Sequence, residues 1–487
     1  MKRNLYLIHR WLGVVLCLFM AMWFFSGVVM MYVGYPKLTQ AERLAALPEL
    51  DGARCCADLQ LWLRASGRAE APATLRLSSV GGQPRALLGY GRAGVLALDG
   101  AGGGRVESVG AAEALAAAKA FMPDAPAAYL DLVDEDAFTH SKGLDAQRPL
   151  HRIEMGDAAS TRLYVSARTG EVVRDASASE RGWNWVGSWI HWLYPFRGGA
   201  LERFWTDIVV YTALAATLLS LLGMLVGVWR WRFAGRFRSG SRSPYREPWM
   251  RWHHLLGLVF GTLAVTFIFS GLMSMNPFKV LDSGGAKAQP VRWQAALFTL
   301  PAGQALRRLA EGGFAARELE WRVVDGAGYY LAWDGQGRTR LLAAGGAGLA
   351  LPFEAFGMEK MAALGATLLA PHKVARASVL SEYDSYYYSR AAHTMTGGGK
   401  RLPVLRLEFD DPHATWLYLD PASGAVVRQL DARQRAGRWL FALLHSWDWG
   451  PLLERRPWWD AWMLAISAGG MLISVTGIVI GWRRLRR

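Results

Sequence analysis

Two sets of histidines stand at matching points in the two halves of the sequence. His9 and His253 each stand 17 residues before a Ser-Gly pair, and the stretch between is apolar. His191 and His445 each stand 32 residues before a glycine in a later apolar stretch. Neutral imidazole is a good axial ligand for haem iron, and two of them leave the iron no open position. The spacing therefore predicts two metal or haem centres.

The alternative is that these are interfacial histidines, hydrogen-bonded to the backbone or to lipid headgroups. Ionisable groups at membrane depth are costly and usually functional, so four of them at repeated spacing favour metal ligation. His254 complicates the choice because it neighbours His253, and adjacent residues of a helix point about 100° apart. Only one of the two is expected to bind a given iron. The matched spacing favours His253 and leaves His254 as a second cofactor contact.

The composition points to a membrane protein. The chain has 487 residues, of which 52% are hydrophobic and 23 are Trp. Four apolar runs approach the roughly 20 residues that a spanning helix needs. They are Trp11–Val33, Ile208–Val228, Leu255–Met275 and Ala461–Gly481. The first run is too long for a signal peptide and lacks a small-residue cleavage site, so we expect a retained helix.

Positive charge is concentrated at one side of these runs. The N-terminal end, residues 230–251 and residues 483–487 together carry 14 cations and one acid, Glu247. Cationic loops stay in the cytoplasm, so both termini and the middle loop are predicted to face inward. The Ala-, Arg- and Gly-rich composition suggests a bacterium, which places the two large segments in the periplasm. The net charge of +15 argues only weakly for nucleic-acid binding, because it lies at helix ends.

The two large segments match each other at an offset of 254 residues. Thr161–Val173 matches Thr415–Val427, and both read as strand, turn and strand. Helices are predicted ahead of them, over Ala111–Phe121 and Phe353–Leu364. The predicted fold is an α-helical membrane protein with four transmembrane helices in two parallel-repeat halves, each with a periplasmic α+β domain.

Trp-rich stretches before the second and fourth runs predict interfacial helices, which places His191 and His445 near the outer face. The predicted boundaries are a transmembrane helix at 1–33, an outer domain at 34–182, an interfacial helix at 183–204, a transmembrane helix at 205–230, a basic cytoplasmic loop at 231–251, a transmembrane helix at 252–275, an outer domain at 276–437, an interfacial helix at 438–458, a transmembrane helix at 459–482 and a cytoplasmic tail at 483–487.

Three features together resemble the PepSY-associated transmembrane family. They are the opening HRWLG at His9–Gly13, the strand pattern YVSARTGEVV at Tyr164–Val173, and an interfacial histidine before a helix that ends in glycine. Members of the family include inner-membrane ferric-siderophore reductases. The resemblance implies PepSY-like outer domains, b-type haems ligated by helix histidines, and electron delivery to the periplasm.

Parallel repeats are related by an axis along the membrane normal, so matched residues face each other across it. His9 with His253 is predicted to hold one haem b near the cytoplasm, and His191 with His445 a second near the periplasm. The expected function is a transmembrane haem-dependent ferric-siderophore reductase. Its electron donor is a cytoplasmic reductase or membrane quinol, because the cytoplasmic loop has no GxGxxG motif after a strand. Membrane lipid is the remaining expected partner.

Two other functions stay open: a membrane-anchored PepSY binding or regulatory module without redox activity, and a haem subunit that serves another oxidoreductase. Arg10, Arg251 and Trp252 are either propionate neighbours or topology anchors. The tyrosine-rich Tyr383–Tyr388 either lines a substrate surface or packs on a helix. Adjacent Cys55 and Cys56 lie in an oxidising compartment, although a disulfide between neighbours is uncommon.

Overall fold

The computed structural model describes residues 2–197, 199–289, 294–345, 351–389 and 400–486. Within these ranges four helices are long and apolar enough to span a membrane. Numbered along the chain, they are α1 (Lys2–Tyr32), α7 (Trp205–Arg230), α8 (Pro248–Ser274) and α14 (Trp458–Leu485). They contain the four apolar runs, so the predicted set of candidate spanning helices is confirmed.

The four long helices form a bundle around an apolar core. α1 packs against α7 and α14, and α8 packs against the same two helices, so α1 and α8 are diagonal neighbours. Both chain termini and the loop between α7 and α8 lie at one end, called here the loop end. The opposite end is called the sheet end. The core between the ends contains Leu16, Met20, Phe24, Ala216, Leu219, Ala264 and Ile268.

The segments that follow α1 and α8 form the sheets. The first contains α2 (Gln40–Ala46), α3 (Leu59–Ala65), β1 (Thr74–Val80), β2 (Gln83–Gly89), β3 (Val95–Asp99), β4 (Arg105–Val106), α4 (Ala111–Phe121), β5 (Ala127–Val133), β6 (Leu150–Met155), β7 (Arg162–Ser166) and β8 (Val172–Ala176). The second contains α9 (Ala302–Glu311), β9 (Glu318–Val324), β10 (Ala327–Trp333), β11 (Thr339–Ala343), α10 (Met358–Thr367), β12 (Val374–Leu380), β13 (Val404–Phe409), β14 (Trp416–Asp420) and β15 (Ala425–Leu430).

Each segment has its own four-stranded antiparallel sheet. The strand orders are β5-β6-β7-β8 and β12-β13-β14-β15, with helix α4 or α10 packed on one face. The predicted turns before the last strands have Gly170 at φ +76° and Gly424 at φ +66°, a region that glycine enters without steric cost. The helix predicted over Phe353–Leu364 begins only at Met358.

A seven-stranded sheet joins the two segments. Its order is β11-β10-β9-β1-β2-β3-β4, and the joint is the antiparallel pair β1–β9. Ser78 pairs there with Glu318, which lies 240 residues later. Two separate α+β domains were predicted, whereas this sheet belongs to both segments. No local pattern in either strand reveals such a distant partner.

A buried cluster of charges lies beside this joint. Glu318 is 1% exposed and binds Arg43 and Arg76, each at 2.6 Å. Arg76 also binds Glu171 at 2.8 Å, at the turn before β8. Burial by itself raises the pKa of Glu318, but Arg76 and Arg43 outweigh it and hold this pKa below its usual value. The cluster thus ties α2, the seven-stranded sheet and the first four-stranded sheet together.

Replacing Glu318 with Gln should lower the free energy of unfolding by about 3 kcal/mol at neutral pH, because two arginines lose a buried partner. A lowered folded-state pKa gives stability that is full above the unfolded pKa of about 4.3 and is lost as the pH falls through the folded pKa. The Tm of E318Q should therefore fall below wild type at pH 7 and approach it below about pH 4. The control Glu107→Gln removes an exposed pair and should not change Tm. Equal Tm values for E318Q and wild type at pH 7 would contradict this account.

Candidate functional site

His9 and His253 meet at the loop end of the bundle. His9 lies on α1 and His253 on α8, and their ring centres are 6.4 Å apart. The Nδ1 atom of His9 lies 3.2 Å from the carbonyl oxygen of Leu219, and Nδ1 of His253 lies 3.1 Å from that of Ile473. A carbonyl oxygen only accepts, so Nδ1 carries the proton in both neutral rings and Nε2 carries the lone pair.

His191 and His445 meet at the sheet end, with ring centres 6.2 Å apart. Their Nδ1 atoms lie 3.0 Å from Ser26 Oγ on α1 and 3.1 Å from Ser270 Oγ on α8. Each serine hydroxyl donates its own proton to a carbonyl of its helix, so it accepts from the imidazole N–H. Burial, with His445 alongside, lowers the pKa of His191 to about 3 and keeps its ring neutral.

Both pairs have the spacing that a metal atom between two imidazoles requires. A metal–nitrogen bond is about 2.0 Å, and Nε2 lies about 1.1 Å from the ring centre, so two imidazoles on opposite sides of one metal place their centres about 6 Å apart. The observed distances of 6.4 and 6.2 Å agree. The 17 residues from His9 to Ser26 correspond to about 26 Å of helix, so one pair lies near each end of the bundle.

A glycine faces each of the four rings. A Cβ added at Gly223 would lie 2.6 Å from His9 Cε1, whereas one added at Gly271 would lie 3.7 Å from His445 Cε1. The glycines therefore let the rings lie against the backbone of a neighbouring helix, most tightly at His9. The four contacts are Gly223 with His9, Gly477 with His253, Gly27 with His191 and Gly271 with His445.

A cavity of about 420 Å³ surrounds the inner pair, His9 and His253. This volume lies within the range of about 300–1,000 Å³ that small-molecule sites have. Arg10, Arg483 and Arg484 contribute to its lining at the loop end, whereas Arg251 and Trp252 are exposed and do not. The buried Nε of Arg10 has no hydrogen-bond partner in the protein, and a ligand with a carboxylate would supply one.

Two imidazoles for each centre suit a haem. Zinc sites take three or four protein ligands, and no such group of His, Cys, Asp or Glu converges in the part of the chain that the structure describes. A porphyrin supplies four nitrogens itself and needs only axial ligands from the protein. The facing rings, the glycine contacts, the cavity and the unpaired Arg10 atom all fit a haem at the inner pair. The outer pair, His191 and His445, has the same ring spacing.

His254 has the opposite proton arrangement. Its Nε2 lies 2.8 Å from the carbonyl oxygen of Gly227 and must donate, and its Nδ1 lies 2.8 Å from the hydroxyl of Ser243. Both nitrogens therefore bind α7 and the loop that follows it. Of the two neighbouring histidines, the structure brings His253 to His9, and ligation by either stays a prediction.

The helices that carry the outer pair are broken, unlike the single interfacial helices that were predicted. The first consists of α5 (Ala178–Val186) and α6 (Ser188–His191), interrupted at Gly187. The second continues from α11 (Ala432–Gly437) through a π-helical turn into α12 (Leu444–Ser446), and α13 (Gly450–Leu453) follows. Such breaks occur frequently at functional sites, and here they lie directly before the histidines.

Tryptophans at the start of α7 and α14 hold these broken helices. Trp205 Nε1 donates to the carbonyl of Trp192 at 2.8 Å, and Trp459 Nε1 donates to the carbonyl of Ser446 at 2.9 Å. Both acceptors are the residues that directly follow the outer histidines. Each indole thereby caps a helix end whose carbonyl lacks a partner within its own helix, and it fixes the height of the ring above the bundle.

The other predicted candidates have structural partners. His151 bonds to the carbonyl of Val109 at 2.8 Å, Tyr387 and Tyr388 are buried as expected for packing, and Cys55 and Cys56 form the disulfide considered uncommon. His393 lies outside the described residues. Roles for Ser26 and Ser270 were missed, although their repeated distance from a histidine was the available signal.

Gly223→Ala should displace the His9 ring, because its new Cβ needs space that lies 2.6 Å from Cε1. We expect about half the haem content of wild type, measured per chain after purification, because only the inner pair is disturbed. Gly271→Ala is the matched control: its Cβ makes an ordinary 3.7 Å contact and should leave haem content unchanged. Full haem content in G223A would show that the ring is not held as described.

Comparison with known families supports the motif-based resemblance. The family described as the PepSY-associated TM region matches residues 6–317, a range that includes His9, His191 and His253 and ends before His445. No curated protein sequence matches the chain. Since the matched range covers more than half of the sequence, the chain belongs to the PepSY-associated TM region family.

Proposed function

We propose that the protein binds two haem b groups, one between each pair of facing histidines, and reduces a ferric siderophore at the sheet end. The observation that carries this proposal is the placement of two imidazole pairs at opposite ends of one helix bundle. All four rings point a lone pair on Nε2 away from the helix that binds Nδ1. Hydrogen-bonded Nδ1 atoms of this kind fix the tautomer and the ring orientation that axial ligands need.

The protein residues hold and orient the cofactor. His9 and His253 supply the axial nitrogens of the inner site, and Gly223 and Gly477 leave room for their rings. Arg10 is placed to bind a carboxylate at the loop end. A haem held by two histidines supplies one-electron exchange without an open position at iron. The acceptor is therefore reduced at a distance and does not bind to the iron.

The proposed membrane orientation follows from charge. The loop end carries the cationic termini and the cationic loop 231–251, so it is assigned to the cytoplasm of a bacterial inner membrane. The sheets then lie in the periplasm, and the two halves of the chain are parallel repeats. With one site at each end, the crossing of about 30 Å of hydrocarbon is divided between two centres.

The proposed reaction transfers one electron for each iron. An Fe(III)–siderophore gains an electron and becomes Fe(II), which the hard oxygen ligands of a siderophore hold less strongly, and the free siderophore is released. No proton transfer by the protein is needed for this balance. The donor is a cytoplasmic reductase or membrane quinol, one electron at a time.

An absorption spectrum of the detergent-purified protein tests the cofactor. Wild type should contain two haems per chain with a bis-histidine b-type spectrum on reduction by dithionite. His9→Ala and His445→Ala should each lose about one haem, because each removes one ligand of one pair. His254→Ala is the control and should keep both haems. Absence of haem from cells able to supply it would leave the non-redox PepSY module as the better account.

Reoxidation of the reduced protein tests the acceptor. After anaerobic reduction and removal of dithionite, ferric siderophores should restore the oxidised spectrum and release Fe(II), detected with a ferrous chelator. The same siderophores loaded with Ga(III) are a matched control, since gallium binds similarly and is not reduced. Haem without reoxidation by any ferric siderophore would favour a haem subunit that serves another oxidoreductase.

A further inference from the structure

Thr476 makes a contact to one histidine of the inner pair that the other histidine lacks. Its Oγ1 lies 2.9 Å from Nδ1 of His253, the same nitrogen that faces the carbonyl of Ile473. The threonine hydroxyl is directed to carbonyls of its own helix, at 2.9 Å from Leu472 O and 2.8 Å from Ile473 O. With its proton engaged there, the oxygen accepts from His253.

The corresponding position beside His9 has no hydroxyl. His9 binds the carbonyl of Leu219, and the residue three positions later is Leu222, just as Thr476 follows Ile473 by three. Both side chains are buried, at 9% exposure for Leu222 and 5% for Thr476. The two inner histidines therefore have one backbone acceptor each, and His253 has a second acceptor that cannot exchange readily with water.

We infer that Thr476 is a positioning residue that makes His253 the more strongly electron-donating ligand and lowers the reduction potential of the inner centre. This rests on the proposed function. An acceptor at Nδ1–H shifts electron density toward Nε2 and raises the basicity of the imidazole as a ligand. A more basic ligand stabilises Fe(III) relative to Fe(II), so the potential falls. The outer pair has serine acceptors on both rings and does not contact Thr476.

A redox titration of purified protein, followed by haem absorbance, separates the two centres as two one-electron components. Thr476→Val keeps the side-chain shape and removes the hydroxyl, so one component should shift to higher potential while the other stays in place. Thr476→Ser restores the hydroxyl and should return the wild-type value. Leu222→Thr places a hydroxyl beside His9 and should shift the same component to lower potential.

Ser270→Ala is the matched control at the outer pair, and it should move the component that Thr476→Val leaves in place. Two unmoved components in T476V with both haems bound would overturn the inference, as would T476S behaving like T476V. If T476V loses a haem, L222T decides: an unchanged potential there overturns the inference. Wild type without haem would instead refute the proposed function, so the two failures are distinguishable.

Discussion

The hydrogen bond from imidazole Nδ1 to a neighbouring element is the interaction on which the arrangement of this molecule depends. It connects α1 to α7, α8 to α14, and each outer histidine to the long helix beneath it. Because every such bond crosses between two elements, the position of a ring is set by helix packing rather than by side-chain flexibility. The facing glycines are part of the same constraint, since a ring held this close to a backbone leaves no space for a Cβ.

The two ends of the bundle use this interaction in different surroundings. At the loop end the acceptors are backbone carbonyls, and a cavity lined in part by arginines surrounds the rings. At the sheet end the acceptors are serine hydroxyls, and tryptophan indoles cap the helices that carry the rings. The inner site is thus suited to a ligand with anionic groups at the bundle edge. The outer site is fixed by short helices that continue directly into the sheets.

The parts of this structure that sequence predicted are those encoded by repetition and local pattern. Apolar length located the four long helices, and identical spacing identified which histidines meet. The helix at Ala111–Phe121 has the predicted bounds, because its Ala-rich sequence needs no distant partner. The pairing of β1 with β9, the break at Gly187 and the proton arrangement of His254 were not predictable in this way. Each depends on a contact that only the folded chain creates.

The seven-stranded sheet also limits how the sheet end can move. β1 and β9 share a continuous antiparallel ladder, reinforced by Glu318 and its two arginines, so the segments after α1 and α8 have no free boundary between them. A clamshell motion, in which two lobes hinge open and shut around a ligand, would require this ladder to break. A molecule arriving from solution therefore meets one preformed rigid platform, and any adjustment to its shape is left to loops and side chains at the rim.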